Sequence, residues 1–340
     1  MALPTIPWEA HFDGNAPKHF NITPRFLTSY LDHAAEHFGR RKAIIFQNLN
    51  INYSQLRDKA EQFAASLHDL GLEPGDRVAI MLPNLPQTII AFWGELKAGA
   101  IVVMTNPLYM EKELTHHFTD SNPKFLITLD IFWNKLSQLK DRLTIQTYII
   151  TKISDGLAFP LNLLQQLQAK RQNNSPEISY DDHIVSWKSL FKTRKRYVAP
   201  MKDPHKTIAL LQYTGGTTGY SKGAMLTHYN ISAQISQLIS IIRGDAKTTP
   251  HLFIGVMPFF HVFGLVGTVL LVLYQTSISV PYKTSSFLTL TSKNPLSFFL
   301  HPCRQNSGSV IFVFFFFKLP LPLSEMPQRS PGLSPSAHRS

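Results

Sequence analysis

From Thr23 to Thr151 the chain alternates two kinds of apolar spacing. Phe26, Leu27, Tyr30, Leu31, Ala34 and Phe38 recur at helical intervals and predict a helix near 24–38, with Thr23 as its cap and Pro24 at its first position. Ala43 to Gln47 and Ile51 to Tyr53 flank Asn48-Leu-Asn50 as a short hairpin. Ser54 is then expected to cap a helix whose apolar face is Leu56, Ala60, Phe63, Ala64, Leu67 and Leu70, ended by Gly71.

After Pro74-Gly-Asp76 the run Arg77-Val-Ala-Ile-Met-Leu82 is nearly continuous in apolar residues, the pattern of a strand covered on both faces. The alternation repeats as helix Gln87–Ala98, strand Ala100–Met104, helix Glu111–Asp120, strand Lys124–Leu129, helix Ile131–Leu143 and strand Gln146–Thr151. Strands and helices in this order predict an α/β fold with a doubly wound, mainly parallel sheet.

The pattern lapses over 152–206, expected to be a linker. Gln165 to Pro176 is polar, and Lys188, Lys192, Arg194, Lys195 and Arg196 crowd five positive charges into nine residues. With no aromatic interleaving or recognition motif, a solvated surface is preferred to a nucleic-acid patch, although such charges could touch anionic lipid. Strand character returns at Thr207-Ile-Ala-Leu-Leu-Gln-Tyr213, helical spacing at Asn230–Arg243, and strand character again at Leu252–Met257. Leu252 to Tyr274 has only His261 as an ionisable group, but Pro258, Gly255, Gly264 and Gly267 favour strand, loop and buried helix over a membrane span.

Composition changes this picture in one place. The 340 residues carry a net charge of +11 and are 44% hydrophobic, enough for a sizeable core. From Thr276 to Ser340 there are six Lys and Arg against a single acidic residue, Glu325, so nearly half of the basic excess lies there. The same stretch is Ser/Thr/Pro-rich, with an isolated apolar clump, Val310 to Phe317, too short to span a bilayer. The lone Cys303 cannot form an internal disulfide, and the first residues lack a secretory pattern, so the cytoplasm is the expected compartment.

Candidate chemistry is concentrated in Tyr213-Thr-Gly-Gly-Thr-Thr-Gly-Tyr-Ser-Lys-Gly223, directly after a buried-strand run. Three glycines let backbone amides turn inward, the threonines add hydroxyl donors and Lys222 adds a positive charge, a set that can cradle a polyphosphate. The alternative is a flexible Gly/Thr hairpin with no ligand. Walker A spacing fails, because Lys222 follows Ser221 and Gly219 lies three places earlier; no G-x-G-x-x-G occurs in the segment either.

The longer run Gln212 to Asn230, with Ala224-Met-Leu-Thr-His228 after the glycines, closely resembles the phosphate-loop signature of the AMP-forming acyl-CoA ligases, in the adenylate-forming superfamily, and within it the long-chain fatty-acid branch. Pro74 to Asn84, Leu96 to Val103, Asn106-Pro-Leu-Tyr109 and Met257-Pro-Phe-Phe-His-Val-Phe-Gly264 resemble that branch in the same order, covering about residues 20–274. The resemblance implies the doubly wound sheets of the family's large N-terminal domain. It also implies a two-step reaction in which a fatty carboxylate attacks Mg-ATP to give an acyl-adenylate, and coenzyme A then displaces AMP. By resemblance, Thr214, Gly215, Gly216, Thr217, Thr218, Gly219 and Lys222 hold the ATP phosphates, and Phe260, His261 and Gly264 border the acyl-adenylate pocket. The implied partners are fatty acid, ATP, Mg2+ and coenzyme A, with a peripheral membrane contact compatible and nucleic acid not expected.

Other parts of the family pattern do not occur. A Tyr-Gly-x-Thr-Glu block, a Thr-Gly-Asp block and the small C-terminal domain with its lysine have no counterpart in Gln275 to Ser340, so no catalytic residue or metal ligand is identifiable. The resulting expectation is an incomplete ligase domain, silent in catalysis, or a remnant that binds nucleotide or acyl groups. It divides into an extension at 1–22, a first α/β subdomain at 23–151, the linker at 152–206, a partial second α/β subdomain at 207–274 and an unrelated, disordered tail at 275–340. That tail looks like translation of a shifted frame or an unspliced segment, with a lineage-specific extension as the alternative.

Overall fold

The computed structural model describes residues 22–171, 176–193, 195–215, 221–241, 252–270, 278–280 and 310–311. The first helix, α1 (Thr28–Phe38), turns Tyr30, Leu31, Ala34 and Ala35 inward. It begins four residues later than Thr23–Pro24 suggests. Leu27 stands at its cap, fully buried, with its amide donating to His228 Nδ1 at 3.2 Å, so tertiary contact sets the start. Strands β1 (Lys42–Phe46) and β2 (Leu49–Asn52) form the expected hairpin, with Gln47 at φ 50° in its turn.

Helix α2 (Tyr53–Asp69) is capped by Asn52 rather than Ser54. Asn52 Oδ1 accepts from the Gln55 amide at 2.8 Å while Gln55 Oε1 accepts from the Asn52 amide at 2.9 Å, a reciprocal capping box. At the far end Gly71 sits at φ 92°, and the amides of Gly71 and Leu72 close back on the carbonyls of His68 and Leu67.

Strands β3 (Arg77–Met81), β4 (Ile101–Met104), β5 (Phe125–Leu129) and β6 (Thr147–Thr151) alternate with helices α3 (Pro86–Lys97) and α4 (Glu111–Ser121) as expected. The helix expected at 131–143 is broken. It consists of a 3-10 turn (Asp130–Phe132), the short α5 (Trp133–Ser137) and another 3-10 turn (Lys140–Arg142). Trp133, Leu136 and Leu139 bury themselves at three-residue spacing, the period of a 3-10 turn rather than of an α-helix.

The expected linker is largely part of the domain. After α6 (Leu161–Arg171), β7 (Ile184–Ser186) pairs in parallel with β6, and Trp187 and Leu190 bury themselves, with the Trp187 ring 4.9 Å from that of Phe63. Sequence reading missed β7 because three residues are too few to show a period. The basic cluster pairs locally: Lys188 with Asp155 at 3.1 Å, Lys195 with Asp69 at 3.2 Å and Arg196 with Asp58 at 2.9 Å; Arg194 lies outside the described residues.

The expected division between 151 and 207 does not separate two sheets. Strand β8 (Ile208–Thr214) pairs in parallel with β4, and β9 (Lys222–Thr227) runs antiparallel beside it, giving the seven-stranded order β7-β6-β5-β3-β4-β8-β9. Both faces are covered, as in a doubly wound sheet. Val78 and Ile80 of β3 belong to the core shared with α2 and α3, whereas Ala79 and Met81 belong to the core shared with Leu114, Phe118, Trp133 and Leu136.

Helix α7 (His228–Ile241) follows β9. Then β10 (Leu252–Ile254), a loop, the turn α8 (Val262–Gly264) and a π-helical turn (Leu265–Leu270) realise the strand, loop and helix expected there. Among the described residues no helix is long and apolar enough to cross a membrane. A smaller sheet, β12-β10-β11-β1-β2, includes β11 (Ile278–Val280) and β12 (Val310–Ile311). Apart from these two strands, the expected tail at 275–340 lies outside the described residues, as does the extension at 1–22 save for its last residue.

Candidate functional site

The glycine-rich segment is the connection of an antiparallel hairpin. Tyr213 pairs with Gly223 and Thr214 with Lys222 across β8 and β9, so the two ends of the glycine-rich connection are fixed opposite each other. Thr214, Gly215 and Lys222 are exposed, and a Cβ built on Gly215 would meet nothing within 4 Å. Gly216, Thr217, Thr218 and Gly219 lie outside the described residues. The loop leaves the carboxyl end of β8, beside the parallel strand β4, the edge at which open α/β sheets bind ligands.

A second segment is held against this edge. Gln212 Nε2 donates to the Phe260 carbonyl at 3.2 Å, which ties β8 to the loop carrying Phe260 and His261. The Oε1 atom of the same Gln212 is buried with no hydrogen-bond partner among the described residues. From the other side Asn84, just after β3, holds Gly255–Phe259 with its entire carboxamide. Its Nδ2 donates to the carbonyls of Gly255 (3.0 Å) and Met257 (2.6 Å), and its Oδ1 accepts from the Phe259 amide (2.8 Å).

His261 itself is exposed; its amide donates to the Pro258 carbonyl at 3.0 Å and its carbonyl accepts from Leu265 at 2.9 Å. The Phe260 and His261 rings are 5.8 Å apart. Gly264 is buried, and a Cβ there would lie 2.3 Å from the Pro258 carbonyl oxygen, so this close approach requires glycine.

The structure thus brings the 214–222 hairpin and the 260–264 segment to one sheet edge through Gln212. Asn84 and Gln212 hold these segments in place, and pattern reading left both without roles although they lie in the runs quoted above. Their signal was placement, a polar residue at or just beyond the carboxyl end of a buried strand. Among the described residues no three His, Cys, Asp or Glu side chains group to hold a metal ion.

Comparison with known proteins fits this geometry. The family of AMP-binding enzymes matches residues 31–296. The chain belongs to that family. It is 39% identical over 263 residues to a long-chain-fatty-acid–CoA ligase of Bacillus subtilis (strain 168), covering 76% of this chain and 46% of that protein. Against the enzyme of the same name from Escherichia coli O157:H7 it is 31% identical over 262 residues, covering 76% of this chain and 46% of the relative. Among solved structures, a long-chain-fatty-acid–CoA ligase from Archaeoglobus fulgidus matches with a TM-score of 0.60 at 22% identity, over 81% of this chain and 51% of that one. The chain spans about half the length of the curated relatives it matches, their N-terminal part.

Proposed function

We propose that these residues form the ATP-phosphate and acyl-adenylate end of an AMP-forming ligase that activates long-chain fatty acids, with Mg-ATP, fatty acid and coenzyme A as substrates. The observation that carries the reading is the β8–β9 hairpin, with Thr214 paired with Lys222 and tied through Gln212 to the His261 segment. Attack of a carboxylate on the α-phosphorus releases pyrophosphate, and the barrier falls when that leaving charge is met by fixed donors. Amides at the glycine-rich turn, the Thr214 hydroxyl and the Lys222 ammonium supply such donors. Phe260, His261 and Gly264 border the space for the acyl group.

Within the 340 residues, no Tyr-Gly-x-Thr-Glu or Thr-Gly-Asp run supplies the adenine and ribose contacts that the resemblance implies. On this reading the residues present supply phosphate and acyl contacts, and the expected outcome is nucleotide binding without turnover. Purified protein titrated with a fluorescent ATP analogue should show saturable binding, weakened at least about tenfold by Lys222→Ala, the loss of one charge-assisted contact. With ATP, magnesium, palmitate and coenzyme A it should release no AMP above background. Robust turnover abolished by Lys222→Ala would make the chain an active ligase, and absence of nucleotide binding would remove the phosphate-loop assignment.

A further inference from the structure

The hairpin is braced at both ends of its connection by one helix that pattern reading left without a role at the site. On the β8 side, the Tyr213 hydroxyl donates to Asp120 Oδ2 of α4 at 2.5 Å. On the β9 side, His116 Nε2 of the same helix lies 3.0 Å from the Ser221 carbonyl and donates to it. His116 and Asp120 are four residues apart, one turn of helix, so a single face of α4 reaches both ends of the loop.

The Tyr213 ring that makes this connection is held by two close neighbours. Its centroid is 4.1 Å from that of His117, and His117 Nε2 is itself 3.0 Å from Thr105 Oγ1, just after β4. Opposite, a Cβ on Gly223 would lie 2.9 Å from Tyr213 Cζ, so only glycine lets the ring lie across its strand partner. Three residues thereby set one hydroxyl: His117 and Gly223 hold the ring and Asp120 accepts the hydroxyl's hydrogen bond, while His116 secures the other end of the loop at Ser221.

We propose that Asp120 and His116 of α4, acting through Tyr213 and Ser221, are positioning residues for the phosphate loop, holding Thr214 and Lys222 at the separation that a nucleotide polyphosphate requires. Its affinity consequence rests on the phosphate-binding reading above; its structural consequence does not. α4 is the crossover between β4 and β5, so the loop's position is inherited from the frame of the sheet rather than from the loop's own sequence.

The test uses the full chain in the variants Tyr213→Phe, Asp120→Ala, His116→Ala and Asp120→Asn. Asp120→Asn keeps an acceptor oxygen and serves as the conservative rescue. Amide hydrogen exchange of peptides spanning 211–215 and 221–226, measured without nucleotide, should speed up about fivefold or more in the first three variants and stay near wild type in Asp120→Asn. Thermal midpoints should change little, because each change leaves the buried ring in place, and affinity for a fluorescent ATP analogue should fall at least about fivefold. Unchanged exchange in those peptides overturns the proposal, and so does faster exchange with unaltered affinity. Faster exchange in a chain whose wild type binds no nucleotide leaves the brace standing and removes the phosphate-binding reading.

Discussion

Asn84 Oδ1 accepts the amide of Phe259 at 2.8 Å across 175 residues of sequence, while its Nδ2 holds two carbonyls of the same loop. One carboxamide thus replaces a missing strand partner for the segment that leads to His261. Truncation by Asn84→Ala strands one donor and two acceptors in a half-buried site, at a cost of about 1–3 kcal/mol. Asn84→Asp is expected to be worse than alanine, because a carboxylate would face the Gly255 and Met257 carbonyls without a donor. Urea unfolding of the three proteins checks the order, and a stability for Asp equal to that of wild type would contradict it.

The Lys97 ammonium, on a side chain only 1% exposed, lies 2.6 Å from Asp32 and 3.2 Å from Glu61, while Asp32 is 36% exposed. The burial is unequal, so the two ways of breaking the pair should differ. Removing both carboxylates (Asp32→Asn with Glu61→Gln) leaves a buried, uncompensated cation, costing about 3–5 kcal/mol. Lys97→Met removes the buried charge and lets Asp32 hydrate, so it should cost well under half of that. Chemical denaturation midpoints decide it; equal losses would mean that the lysine is not the desolvated partner.

Gly71 and Gly99 end α2 and α3 at positive φ, 92° and 76°, yet only one of them is crowded. Nothing lies within 4 Å of a Cβ on Gly71, whereas one on Gly99 would meet Ala199 Cβ at 2.8 Å and Pro74 Cβ at 3.1 Å. Gly71→Ala therefore pays only the left-handed backbone cost, about 1–2 kcal/mol. Gly99→Ala should lose more, and should also loosen the segment bearing Ala199, whose amide donates to Lys97 at 2.7 Å. Thermal unfolding of both variants, with proteolysis near residue 199, tests the difference.

How much of this was legible in the sequence follows from the range over which each feature is determined. The continuous apolar run Val78–Leu82 announced a strand covered on both faces, and Val78 and Ala79 do enter different cores. Gly71 announced a helix end because the left-handed turn is a local demand. What failed was set at longer range. The start of α1 depends on Leu27 meeting His228, 201 residues away, and β7 is too short to show a period. The glycine-rich connection was legible as composition, but the contacts that brace its ends were not: nothing in the spacing of His116 and Asp120 says that Ser221 and Tyr213 will stand opposite them.

The same long-range contact makes stability depend on pH. Burial holds His228 down at about 4 and likewise His117, where the charge on His116 adds to the effect and Asp120 opposes it. In the unfolded chain these imidazoles return to about 6.5, so between the two values the unfolded state binds protons that the folded state refuses. Their contribution is therefore intact above pH 6.5 and is lost as pH falls toward 4, by about 2 kcal/mol each at pH 5. Glu95 runs the other way. Burial holds its carboxyl well above the usual range, so its protonated form favours folding at low pH and its penalty grows as pH rises, which hides part of the histidine effect in the wild type. The clean measurement is the difference between wild type and His228→Gln, whose amide oxygen can still accept the Leu27 amide. That difference should shift by about 2 kcal/mol in favour of the variant between pH 7.5 and pH 5. A difference that stays flat across this window would show that His228 titrates normally in the folded protein, and that its contact with Leu27 does not exclude the proton.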